Sequence, residues 1–137
     1  MTILAPDVAE FLKGANLASL ATVRPDGRPH VTPVWYEYDG YEFIVSTFRA
    51  AQKLQNVSRK GFAALSIYTQ ELPYRQVTIE GTARVGSQVD GVWRERVAVR
   101  YLGEPAGKAY VRDTADMEFV AIHVRPIKWT TEGFETS

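Results

Sequence analysis

From Arg75 to Val85 the chain alternates. Val77, Ile79, Ala83 and Val85 are apolar, and the residues between them, Gln76, Thr78, Glu80, Thr82 and Arg84, are polar or charged. A period of two sends successive side chains to opposite faces, which predicts a half-buried β-strand. Gly81 interrupts the apolar side, as expected where a barrel strand bends or bulges. Residues 21–57 repeat the theme as three strand-like runs joined by two turns. In Arg24-Pro25-Asp26-Gly27, Pro presets φ, Asp bonds back to the backbone and Gly accepts φ > 0. Asp39-Gly40 is a hairpin signal.

These patterns predict strands over residues 17–23, 29–38, 41–46, 62–69, 75–85 and 118–129. Pro29 and Pro33 cannot donate ladder hydrogen bonds, so the second strand must have an open edge or a break near Pro33. Helices are expected over 6–13, 50–59 and 89–102, stopped by Gly14, Gly61 and Gly103, with a short helix or loop at 110–114. Six mostly hairpin-linked strands with helices in the connections imply a mainly β, α+β fold: an antiparallel split barrel rather than a doubly wound sheet. The whole chain, 1–137, reads as one domain.

Composition narrows the function. There is no cysteine, which excludes disulfides, thiolate metal sites and cysteine nucleophiles and fits a cytoplasmic protein. The two histidines, His30 and His123, lack metal-ligand spacing, so no metal site is expected. No apolar run approaches a membrane span, and residues 1–13 have no basic region of the kind that opens a signal peptide. Sixteen Lys+Arg balance sixteen Asp+Glu, so neither nucleic acid nor an anionic membrane is an expected partner. Yet residues 43–70 contain no acid, while Arg49, Lys53, Arg59 and Lys60 lie there. A locally cationic segment in a neutral chain suits a small anionic ligand.

Three constellations stand out. Ser46, Thr47, Arg49, Gln52 and Lys53 fall where a strand leads into a helix, and free N–H groups, hydroxyls and cations together hold phosphate well. The competing reading is a helix capped by Ser46 or Thr47 with a solvated basic face. Val31, Thr32, Pro33, Val34 and Trp35 lie on the proline-interrupted strand, whose unpaired backbone groups could bond the edge of a flavin-like ring. The competing reading is an ordinary edge strand. Tyr74, Arg75 and Gln76 enter the alternating strand, either flanking a ligand or merely opening the strand. His30 is a candidate proton donor, and a lone histidine is equally at home as a structural residue. No serine elbow, P-loop or dinucleotide glycine motif is present, so any hard chemistry would fall to a cofactor.

The motifs ATVRPDGRPHVTPVWY, STFRAAQKLQNV and LPYRQVTIEGTARV, in this order, resemble the pyridoxamine 5′-phosphate oxidase-like split-barrel superfamily, in particular its flavin and deazaflavin oxidoreductase branch that uses coenzyme F-420. The likeness continues more weakly through RVAVRYLG and VAIHVRPIKW. It implies a homodimer with two cofactor sites at the subunit interface and a small-molecule substrate. Ser46, Thr47, Arg49, Gln52 and Lys53 would hold the phosphate, and the backbone of residues 31–35 would carry the ring. Tyr74, Arg75 and Gln76 would face the site from the partner subunit. The cofactor implied is F-420, with FMN as the alternative. The same fold also serves FMN-dependent oxidases and non-catalytic flavin, deazaflavin or haem carriers.

Overall fold

The computed structural model describes residues 4–135. In chain order the elements are α1 (Pro6–Leu12), β1 (Leu17–Val23), β2 (Pro29–Pro33), β3 (Glu37–Tyr38), β4 (Phe43–Phe48) and α2 (Gln52–Arg59). They continue with β5 (Phe62–Tyr68), β6 (Gln76–Gln88), α3 (Gly91–Leu102), α4 (Ala106–Asp113) and β7 (Phe119–Glu132). The strands form one antiparallel sheet in the order β2-β1-β5-β6-β7-β4-β3.

The sheet has seven strands, not six. The expected strand over 29–38 is two strands, β2 and β3, and they occupy opposite edges of the sheet. Pro33 is the reason. It ends the ladder with β1, Val34 donates one last N–H to the Ala18 carbonyl (3.0 Å), and the chain then leaves. Residues 34–36 carry it across to the other edge. Four Cα steps, from Pro33 to Glu37, reach at most about 14 Å, so the two edges must curl close to one another. The barrel is split there, and a crossing segment spans the gap.

Tyr36 anchors that crossing. Its buried hydroxyl donates to the Leu12 carbonyl (2.9 Å) and accepts from Asn16 Nδ2 (3.0 Å). Burial pushes its phenol up to about 12. The core inside the sheet is built from alternate residues, among them Leu20, Leu65, Ile67, Val77, Ile79, Val45 and Ile122, closed by Val8, Phe11 and Leu12 of α1.

Gly81 marks a register shift between β6 and β7. A Cβ there would lie 2.1 Å from the Arg125 carbonyl oxygen, so the strands meet at a distance only glycine permits. The hairpin turn sits at Asp39-Gly40 as the signal suggests, with Gly40 at φ 98°, but it runs on through Tyr41 and Glu42. Asp39 Oδ1 accepts from the N–H groups of Tyr41 and Glu42, and β4 therefore starts at Phe43. The helix expected only as a fragment at 110–114 is a full one, α4, packed against α3. Among the described residues no helix is long and apolar enough to cross a membrane.

Candidate functional site

A cleft of about 660 Å³ opens where the crossing segment, the end of β4 and the start of α2 meet. Six of the residues singled out from sequence line it: Pro33, Val34, Trp35, Ser46, Thr47 and Lys53. The volume lies in the range of ordinary small-molecule sites.

One wall is aromatic. Trp35 stacks on Tyr101 of α3 (centroids 5.2 Å apart, 12° between planes) and meets Tyr110 of α4 edge-on at 5.4 Å. Phe119 and Phe48, paired across β4 and β7 at 4.8 Å, extend it. Two arginines back these rings. The buried Arg94 guanidinium lies 3.8 Å from the Phe119 centroid and donates to Thr114, and burial lowers its pKa. Arg100 lies 5.3 Å from the Tyr101 ring, with its Nε and Nη2 buried and unbonded. Neither forms an ion pair among the described residues, though Arg100 acts on the Glu37 carboxylate at longer range, so positive charge stands behind the wall.

The opposite side carries Lys53. Its ammonium donates to Thr32 Oγ1 (3.2 Å) across the gap from α2 to β2. It is half-buried, and desolvation lowers its pKa. No carboxylate among the described residues pairs with it. α2 has no side-chain cap, as its N-cap is Ala51, and no acid in its first turn. Ser46 and Thr47 line the cleft and neither caps the helix, which removes the capped-helix reading of these two residues. A half-desolvated cation and an uncapped helix start therefore lie on one side, across from a wall of rings, with Ser46 and Thr47 of β4 beside them.

The remaining sequence candidates fall elsewhere. Val31 points to the outer, exposed face of β2. Arg49 pairs with Glu118 (2.8 Å) at the surface. Gln52 donates to Asn56 (2.8 Å), which donates to Thr22 (3.0 Å), a buried chain that ties α2 to β1. Tyr74 is exposed. Gln76 Nε2 donates to Ser66 and Thr78 on the outer face of the sheet. Arg75 lines an adjoining cleft. His30 sits beside Arg24 and Lys53 with its Nδ1 buried and unbonded, and burial lowers its pKa.

Sequence reasoning missed Tyr101, Tyr110, Phe119, Asn16 and Tyr68 as cleft residues. They arrive from α1's end, β5, α3, α4 and β7. Helical periodicity marks Tyr101 as part of an amphipathic helix but cannot say which cleft its ring enters.

The chain and its fold have counterparts among known proteins. Residues 4–132 match the family described as pyridoxamine 5'-phosphate oxidase. The chain belongs to that family. A curated family relative, an F420H(2)-dependent biliverdin reductase of Mycobacterium tuberculosis (strain CDC 1551 / Oshkosh), is 39% identical over 93 residues. The match spans 66% of this chain and 66% of that one, just under two thirds of the relative's length. A solved structure titled F420 Reductase superposes with a TM-score of 0.72 at 28% identity, covering 88% of this chain and 94% of that one. HutZ, the heme storage protein of Vibrio cholerae, shares the fold at a TM-score of 0.72 and 19% identity, over 97% of each chain.

Proposed function

We propose that this protein is a coenzyme F-420-dependent oxidoreductase that transfers a hydride to a small organic acceptor and works as a homodimer. The observation that carries this reading is Lys53: a half-desolvated ammonium, unpaired with any carboxylate among the described residues, facing a cleft walled by aromatic rings. Burying a cation without a counter-ion is costly, and a phosphate in the cleft would offset that cost. The names of the 39% and 28% identical relatives support F-420 as the group that brings the phosphate.

The residues present fit such a cofactor. Lys53 meets the phosphate as a point charge, and one hydroxyl of the Ser46-Thr47 pair, whose side chains alternate across β4, donates to its oxygens. Trp35, Tyr101 and Tyr110 give a flat surface for stacking and keep water from the ring. β2 is an edge strand, so its backbone has free N–H and C=O groups along one side for the ring edge. When bound and reduced, a deazaflavin supplies a hydride, and the acceptor takes up that hydride and a proton from water. The protein's own share is to orient, to exclude water and to neutralise charge. The relative's name makes biliverdin the first acceptor to try.

The homodimer is supported by the outer face of the sheet. Val31, Phe62 and Ile127 are 61%, 57% and 69% exposed there, around an apolar hollow floored by Ala21 and Ala64. Such a surface suits a second copy better than water.

The runner-up is an FMN-dependent oxidase or reductase, favoured by the family's description and by a grip that FMN phosphate also fits. Titrating the purified protein with F-420 and with FMN decides between them. F-420 is expected to bind more tightly, and tight FMN binding without F-420 binding would hand the reading to the runner-up. Lys53→Met should weaken F-420 binding about 10- to 100-fold, the worth of a charge-assisted contact. Unchanged affinity in that variant would remove Lys53 from the site.

A further inference from the structure

Beside the aromatic cleft lies a second one of about 450 Å³, lined by the 69–75 connection between β5 and β6. The two clefts share Ala15, Asn16, Leu17 and Tyr68 as walls, so they adjoin one another. Their characters differ. The first is walled by rings, whereas the second is walled by polar groups, including Thr69, Gln70, Glu71 and Arg75.

Arg75 is held in an unusual way. Its N–H donates to Thr69 Oγ1 (3.0 Å), and its carbonyl accepts from the Thr69 N–H (3.1 Å), which clamps the base of the connection. Its guanidinium lies 4.9 Å from the Phe11 centroid and 5.8 Å from that of Phe134, two rings that themselves meet edge-on at 5.3 Å. Arg28, Arg49, Arg84 and Arg96 all pair with carboxylates. Arg75 pairs with none among the described residues. The rings hold the side chain in place, and its guanidinium makes no hydrogen bond or ion pair with another described residue. A fixed, half-buried and unpaired guanidinium is a bidentate site for a carboxylate, and little rotamer entropy is lost on binding. Glu71 also lines this cleft, but at its exposed rim, where it disfavours an anion on that side and directs one towards Arg75.

Resting on the oxidoreductase reading above, we infer that this polar cleft is the acceptor subsite, and that Arg75 selects acceptors carrying a carboxylate. Arg75 is then a specificity residue of its own protomer's acceptor cleft, not a residue that faces the partner subunit's cofactor. The aromatic cleft takes the cofactor, and the acceptor lies next to it with its carboxylate on the guanidinium.

The test compares biliverdin with its dimethyl ester, which differ only in their carboxylates. Binding is measured on the cofactor-free protein by quenching of tryptophan fluorescence. The wild-type protein should prefer the acid by at least tenfold, and added salt should shrink that preference. Arg75→Gln should abolish the preference by weakening the acid alone, leaving ester and F-420 affinities unchanged. Arg75→Lys, which keeps the charge and loses the fork, should fall between. Equal affinities for acid and ester in the wild-type protein overturn the inference, even should Arg75→Gln fail to fold. So does an Arg75→Gln variant that weakens both ligands alike. If F-420 itself does not bind, the oxidoreductase reading falls, whereas the acid–ester comparison needs no cofactor and is judged separately.

Discussion

Lys53 shows how much one side chain can carry. Its pKa lies below the ordinary lysine value because burial penalises the charged form and no carboxylate restores it. Between the lowered folded value and the ordinary one, the unfolded chain holds the proton and the folded chain does not. Stability contributed at this position therefore rises with pH through that window. Anion binding works in the opposite sense, because a phosphate favours the protonated ammonium. F-420 affinity is expected to fall from neutral to alkaline pH as Lys53 deprotonates, and Lys53→Met should flatten that dependence. Titrations across that range check it, and an unaltered slope in the variant would separate Lys53 from the effect. Lys53, Ser46 and Thr47 were legible in the sequence, because a strand end, a helix start and a local excess of cations are all short-range signals. Arg49 and Gln52 belong to the same local pattern. Their roles as partners of Glu118 and Asn56 depend on where β7 and β1 pass, and spacing alone cannot show that.

Among the elements, the α3–α4 pair matters most to the cleft, because it brings Tyr101 and Tyr110 to the same wall. The two helices meet almost backbone to backbone. A Cβ at Gly107 would stand 2.6 Å from the Val99 backbone nitrogen and Cα. Gly107→Ala must push the helices apart, and overpacking of this kind costs about 1–3 kcal/mol. Denaturant unfolding should show that loss. F-420 titration should show weaker binding too, since the stack of Trp35 on Tyr101 depends on where α3 sits. A variant that is destabilised but binds normally would detach the helix pair from the site. The strands were legible because alternation is local, and so was the break at Pro33, because proline lacks an N–H. The fate of the broken piece was not legible. Glu37 and Tyr38 pair with Ile44 and Phe43 on the far edge, a choice made by the curl of the whole sheet.

For the whole molecule, the sheet's two faces divide the labour. The inner face holds the core, and the outer face presents Val31, Phe62 and Ile127 to the surroundings. If a second copy covers that surface, a charge placed in it should be decisive. Ile127→Asp is expected to give a monomer in sedimentation velocity where the parent chain gives a dimer. A monomeric parent chain would refute the dimer. By itself the sequence determined the antiparallel strands, the turns and the bulge at Gly81, and it marked Ser46, Thr47 and Lys53 of the cleft's lining. Each follows from residues within a few positions of one another, whose φ preferences and polarity act locally. The tertiary structure alone decided that β2 and β3 stand on opposite edges, and that Trp35 finds Tyr101. It also decided that Arg75 lies against Phe11. Those outcomes depend on how a curled sheet brings distant residues together, and contacts at long separation leave no periodic trace in the chain.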